Sequence, residues 1–117
     1  MVEGSCHCGK VHIEIDTAPD EVADCNCSVC RRSGTLWAYY DPKRVRIVET
    51  VPTDTYMWGD RSLVLHRCAE CGCVTHWRAV KPDYPRMGVN ARLLAPQILA
   101  AARVRHIDGA SYGNYTH

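Results

Sequence analysis

Hydrophobic and polar residues alternate most regularly near the start of the chain, over residues 10–16. Val11, Ile13 and Ile15 fall on one side of an extended backbone, and the charged or polar residues between them fall on the other. Because successive side chains of a strand point to opposite faces of a sheet, this pattern predicts a strand with one buried face.

Six further segments carry short apolar or alternating runs of strand length, separated by turn-forming pairs such as Asp41-Pro42. They cover residues 36–40, 44–49, 54–58, 62–68, 74–80 and 103–108. Two short helices are also predicted, one turn over residues 28–32 and a helix over residues 95–103 with Pro96 near its start.

Many short strands without an alternating βαβ order predict a mostly β fold, a small antiparallel β-sheet domain with one or two short helices. The length predicts one domain over residues 1–117.

Composition narrows the possible partners and the compartment. The formal net charge is +1, from 14 basic and 13 acidic residues without a run of like charges, which argues against nucleic acid or a membrane as partner. The longest apolar stretch, residues 93–102, is interrupted by Pro96 and Gln97 and is too short to cross a bilayer.

The first ten residues lack the basic and apolar regions of a secretory signal, so we expect a cytoplasmic protein. Disulfides are rare in that compartment, and the eight cysteines are therefore expected to be metal ligands or reactive thiols.

The cysteines fall into three groups along the chain: "CHC" (Cys6, Cys8), "CNCSVC" (Cys25, Cys27, Cys30) and "CAECGC" (Cys68, Cys71, Cys73). The spacing Cys-x-x-Cys-Gly in the last group is typical of a zinc knuckle, in which the glycine allows the backbone to turn beneath the sulfurs. The first and last groups each supply half of a tetrahedral site. Together they predict a four-cysteine zinc site, the four-cysteine cluster, formed by Cys6, Cys8, Cys68 and Cys71.

The middle group then leaves three thiols without an obvious fourth ligand; we call Cys25, Cys27 and Cys30 the three-cysteine cluster. Three protein ligands with an open fourth position are the arrangement of catalytic zinc sites. A substrate thiol bound at that position would be kept deprotonated near neutral pH. The adjacent Arg31 and Arg32 are candidates to offset the negative charge or to hold a substrate carboxylate.

Each of these assignments has an alternative at this stage. The four-cysteine cluster could instead be disulfides or free thiols, and the three-cysteine cluster could be closed by a further ligand or hold no metal. Cys73, His66 and His76 are the candidates for such a closing ligand. Cys73 also suits a small buried apolar position, and both arginines suit an ordinary solvated surface.

Four segments, taken together, resemble the glutathione-dependent formaldehyde-activating (GFA) family, which also includes centromere protein V. They are "GSCHCGKV", "CNCSVCRRSG", "CAECG" and "MGVNARLLAP", in this order from Gly4 to about Pro96. The resemblance implies a small zinc-bound β domain of the GFA type. It also implies that the four-cysteine cluster holds a structural zinc ion and the three-cysteine cluster a second, more labile ion assigned to catalysis. The chain departs from the family at Cys73, where many members have threonine or serine.

The activity implied by the resemblance is the condensation of formaldehyde with glutathione to S-(hydroxymethyl)glutathione. The predicted function is therefore a zinc-dependent, carbon–sulfur lyase-like enzyme that condenses or cleaves such a thiol–aldehyde adduct. Its catalytic residues would be Cys25, Cys27 and Cys30, with Arg31 and Arg32 binding the substrate. The predicted partner is a small thiol, with glutathione as the example, and a homodimer is a possible assembly. Two other functions stay open: a non-catalytic zinc module that binds a protein or a small thiol, and a thiol redox or metal-buffering protein.

Overall fold

The structure is a computed structural model that describes residues 1–110 and the strand at residues 114–116. Within this part of the chain, strands predominate and two short α-helices occur, which confirms the predicted mostly β fold. The helices are α1 (Ser28–Ser33) and α2 (Pro96–Ala101), and short 3-10 helices span Pro42–Arg44 and Ala91–Leu93. The strands are β1 (Val2–Ser5), β2 (Val11–Ile15), β3 (Glu21–Cys25), β4 (Trp37–Tyr40), β5 (Val45–Glu49), β6 (Thr53–Tyr56), β7 (Leu63–Cys68), β8 (Val74–Ala79), β9 (Met87–Asn90), β10 (Arg103–Asp108) and β11 (Asn114–Thr116).

The strands form two sheets. A three-stranded sheet has the order β1-β2-β5, and an eight-stranded sheet has the order β11-β10-β3-β4-β9-β8-β7-β6. Strands β3 and β10 pair in parallel, whereas the other strand pairs of the described chain are antiparallel. The parallel pair sets Cys25 beside Ile107, so a segment near the end of the described chain lies next to the cysteine-rich loop after β3.

The main hydrophobic core lies between the two sheets. Ile13 and Ile15 of the small sheet are buried against Val22, Met87 and Val89 of the large sheet. Burying one such aliphatic side chain stabilises the folded state by roughly 1.5–3 kcal/mol. The alternating pattern over residues 10–16 thus correctly identified the face of β2 that is packed inside.

The seven predicted strands are all present, with small shifts of their ends, and both predicted helical segments form as α1 and α2. Strands β1, β3, β9 and β11 were not predicted. In β9 all four residues are buried, including the polar Asn90, so the strand has no exposed side that would create an alternating pattern. Among the described residues, no helix is long and apolar enough to span a membrane.

Candidate metal centres

The four-cysteine cluster forms where two distant turns of the chain meet. Cys6 and Cys8 lie in the turn after β1, Cys68 ends β7, and Cys71 lies in the turn between β7 and β8. Their four Sγ atoms lie within 4.8 Å of one another. The Cys8 Sγ is 3.6 Å from the Cys6 Sγ and 3.6 Å from the Cys68 Sγ. The structure therefore brings together the four residues that the sequence predicted as one site, and it contains them as free cysteines rather than disulfides.

The geometry of this cluster fits a zinc ion. Zinc–sulfur bonds of about 2.3 Å in a tetrahedron place the sulfurs about 3.8 Å apart, close to the separations found here. Backbone N–H groups donate to these sulfurs, from Val11 to Cys6 at 3.4 Å and from Glu70 to Cys68 at 3.4 Å. The backbone N–H groups of Cys73 and Cys8 lower the pKa of the Cys71 thiol to about 5. Metal ligation requires deprotonated sulfur, which these N–H donors favour at Cys71.

Two glycines shape the turns that carry these sulfurs. Gly9 and Gly72 have φ angles of +81° and +80°, a conformation that residues with a Cβ atom adopt at a cost of about 1–2 kcal/mol. The turn between β7 and β8 is closed by hydrogen bonds from the Cys68 N–H to the Cys73 carbonyl at 2.9 Å and from the Gly72 N–H to the Cys68 carbonyl at 2.9 Å. The local backbone is thus already folded around the sulfurs.

The three-cysteine cluster lies where β3 passes into α1. Cys25 ends β3, Cys27 is the N-cap of α1, and Cys30 belongs to the first turn of that helix. The three Sγ atoms lie within 4.8 Å of one another, and no other His, Cys, Asp or Glu side chain of residues 1–110 joins the group. The Cys27 sulfur accepts a hydrogen bond from the Cys30 N–H at 3.4 Å, so it performs the capping role that serine or aspartate has in other helices.

Several N–H groups point at these three sulfurs. The Trp37 indole N–H donates to the Cys30 Sγ at 3.4 Å, and the Cys27 N–H donates to the Cys25 Sγ at 3.5 Å. The hydrogen bond from Cys30 lowers the pKa of the Cys25 thiol to about 5, with further help from the N–H groups of Cys27 and Gly109. The pKa of Cys30 is raised in turn, because its proton is held by the Cys25 sulfur. The donors around the cluster thus stabilise negative charge on sulfur, as a zinc site requires.

The segment after β10 covers one side of the three-cysteine cluster. The Asn26 side chain donates to Asp108 at 3.1 Å and accepts from the Ala110 N–H at 2.9 Å. Between these two contacts Gly109 approaches the sulfurs so closely that an added Cβ atom would lie 2.6 Å from the Cys25 Sγ. Only a glycine fits at this position without moving the Cys25 sulfur.

A family model described as glutathione-dependent formaldehyde-activating enzyme matches residues 1–106 of the chain. The chain belongs to this family. A solved structure, the crystal structure of a protein from Rhodobacter sphaeroides, is 30% identical and superposes with a TM-score of 0.70, covering 87% of this chain and 98% of that chain. The GFA resemblance stated from the four sequence segments is thus confirmed.

The GFA family match ends at residue 106 and so does not include Gly109. We predict that Gly109→Ala weakens zinc binding at the three-cysteine cluster by about 10–100-fold, the effect typical of substitutions next to metal ligands. Competition with a chelator of known affinity measures this change. Gly59→Ala is the control for an added methyl group that touches no sulfur: its φ of +58° strains the backbone, but an added Cβ atom there meets nothing within 4 Å, so zinc affinity should not change. Equal zinc affinity in Gly109→Ala and the native chain would contradict the predicted contact.

The three residues considered as a fourth ligand of the three-cysteine cluster all lie away from it in this structure. Cys73 lies beside the four-cysteine cluster, where it is partly buried and packs against the hydrophobic group of Cys6, Val11 and Cys68. His66 and His76 stack on each other across β7 and β8, with ring centroids 4.3 Å apart. Neither histidine nor Cys73 belongs to the group of ligand atoms around Cys25.

The two arginines of the GFA motif "CNCSVCRRSG" lie in the last turn of α1, and both are exposed. The Arg32 guanidinium donates to the Ser28 carbonyl of its own helix at 2.9 Å. Arg32 also lines an open cavity of about 380 Å³, together with the stacked rings of Tyr56 and Trp58. Binding of substrate by Arg31 and Arg32 stays a prediction.

Proposed function

We propose that this protein is a zinc-dependent enzyme of the carbon–sulfur lyase type, which condenses or cleaves a thiol–aldehyde adduct such as S-(hydroxymethyl)glutathione. The observation that carries the proposal is the three-cysteine cluster, in which three sulfurs converge and residues 1–110 supply no fourth ligand atom. Membership of the GFA family supports the same class of reaction. A closed four-cysteine cluster and a separate three-cysteine cluster suit one structural zinc ion and one catalytic ion.

The roles of the residues follow from their contacts. Cys25, Cys27 and Cys30 would hold the catalytic zinc ion. When bound there, zinc supplies positive charge and a vacant coordination position, which together lower the pKa of an incoming thiol. The N–H groups of Trp37 and of the backbone orient the cysteine sulfurs and take up part of their negative charge.

The proposed substrate is a small thiol with anionic groups, of which glutathione is the example. Glutathione carries two carboxylates, and Arg31 and Arg32 lie on the same short helix as Cys30. A guanidinium forms bidentate hydrogen bonds with a carboxylate, and binding of this kind would orient the thiol toward the aldehyde. The free cysteines suit the reducing cytoplasm, which is the compartment we propose.

The proposal is tested by exchange NMR on glutathione and formaldehyde at equilibrium. The zinc-loaded protein is expected to increase the rate at which free glutathione and its adduct interconvert. Treatment with a mild chelator, which removes the labile ion but leaves the four-cysteine site filled, should return the rate to the background. If the loaded protein with two bound zinc ions gives no acceleration with glutathione or with cysteine, the enzymatic function is rejected in favour of a zinc-binding module.

A further inference from the structure

Asn26 lies between two residues of the three-cysteine cluster and binds the segment after β10, residues 108–110, which we call the strap. Its backbone N–H donates to the Ile107 carbonyl at 3.1 Å, where the pairing of β3 with β10 ends. Its side-chain amide donates to the Asp108 carboxylate at 3.1 Å and accepts from the Ala110 N–H at 2.9 Å. One side chain thus binds both ends of the strap.

These two side-chain contacts need an amide at position 26. The terminal group of asparagine carries a donor and an acceptor side by side, whereas a carboxylate only accepts and an aliphatic side chain does neither. Asn26 is exposed, so it does not fill space in the core. The residue type and its exposure therefore indicate that the role of Asn26 lies in its hydrogen bonds to the strap.

The strap lies directly against the sulfur-bearing residues. Gly109 is so close that an added Cβ atom would lie 2.6 Å from the Cys25 Sγ and 3.1 Å from the Cys27 Cβ. None of the three strap residues is buried, so hydrophobic packing does not hold the strap in this place. The hydrogen bonds of Asn26 therefore decide how firmly the strap stays against Cys25 and Cys27.

We propose that Asn26 is a positioning residue of the three-cysteine cluster, which holds the strap against Cys25 and Cys27 and thereby slows the loss of the zinc ion from that site. The inference rests on the zinc site of the proposed function but not on its reaction. Loss of the ion requires that water or a competing ligand reaches the site and that the sulfurs separate. A backbone segment fixed against two of the three ligand residues hinders both events.

The test exchanges the hydrogen-bonding groups of Asn26 and Asp108. In Asn26→Asp two carboxylates face each other, so the strap should detach. Asp108→Asn is the matched control, because its amide oxygen still accepts from Asn26. The double variant, Asn26→Asp with Asp108→Asn, restores the pair, since the amide at position 108 donates to the carboxylate at position 26, which also accepts from Ala110.

Two rates are measured on the full-length, zinc-loaded chain: uptake of the labile ion by a chromophoric chelator, and hydrogen exchange of the Ala110 N–H by NMR. Both are expected to rise at least about tenfold in Asn26→Asp and to return to within about twofold of the native rates in the double variant. The added carboxylate of Asn26→Asp attracts the zinc ion, so a faster release cannot be due to its charge. Circular dichroism verifies that each variant is folded.

Unchanged zinc release in Asn26→Asp would overturn the proposal, whatever the exchange rate of Ala110. A double variant that releases zinc as fast as Asn26→Asp would overturn it as well, because the effect would then not come from the pair with Asp108. Both rates are measured without glutathione or an aldehyde. A protein that shows the expected rates but no turnover would therefore reject the proposed reaction and support the role of Asn26.

Discussion

Replacing Cys68 with serine is expected to leave the chain unfolded at room temperature. Cys68 is 1% exposed, and its sulfur lies 3.6 Å from the Cys8 sulfur at the point where two distant turns meet. A structural zinc ion contributes on the order of 10 kcal/mol in small zinc-binding domains. The net stability of a folded domain is only about 5–15 kcal/mol, so loss of this site removes most of it.

Circular dichroism and urea unfolding measure the effect of Cys68→Ser, with zinc content determined on the same sample. Cys73→Ser is the matched control, because Cys73 lies in the same turn region but outside the group of four ligand atoms. The control should bind the structural zinc ion and unfold at nearly the native urea concentration. A cooperative unfolding transition of Cys68→Ser within about 1 kcal/mol of the native protein would show that this zinc site is not needed for folding.

Replacing Cys27 with serine is expected to abolish turnover while the protein stays folded. The Cys27 sulfur caps α1 by accepting from the Cys30 N–H, and serine is among the best residues at an N-cap. The helix therefore keeps its cap, whereas the metal site loses one of its three sulfurs. We expect a loss of turnover of at least about 100-fold, since substitutions next to zinc ligands alone cost 10–100-fold.

The exchange rate of glutathione with its formaldehyde adduct measures this loss, and the zinc content should fall from two ions to one per chain. Ser28→Ala serves as the control, because Ser28 is the next residue of the same turn and is not among the candidate ligands. Full turnover in Cys27→Ser would reject the three-cysteine cluster as the catalytic centre. If Cys27→Ser unfolds at the same temperature as the native protein, its loss of turnover does not come from a loss of the folded structure.

The features that the sequence could predict depend on short-range patterns. The side of β2 that carries Val11, Ile13 and Ile15 was identified because one face of that strand is buried and the other is not. The local cysteine groups were predictable because cysteines two or three residues apart lie close together in a tight turn. The prediction that Cys6 and Cys8 meet Cys68 and Cys71 followed because each pair supplies only half of a tetrahedral site.

The features that could not be predicted depend on contacts between distant segments. Gly109 reaches Cys25 only because β3 and β10 pair in parallel, and no local pattern around either residue indicates that pairing. The Trp37 indole likewise donates to Cys30 from the neighbouring strand, although aromatic residues in strands suggest only core packing. Cys73 was considered as a ligand of the distant three-cysteine cluster, whereas the structure places it beside Cys6 and Cys68, close to its neighbour in the sequence, Cys71.

The parallel pairing of β3 with β10 means that the two cysteine clusters assemble at different stages of synthesis. All four sulfurs of the four-cysteine cluster have left the ribosome once residue 71 has emerged, together with the neighbouring strands β1 and β7. Strand β3 pairs with β10 along its whole length but with β4 only at Ala23 and Trp37, so β3 lacks its main partner until β10 appears. In a nascent chain the four-cysteine cluster can therefore assemble before β10 has been made, whereas the three-cysteine cluster gains the segment that covers it only after residue 109 has been added.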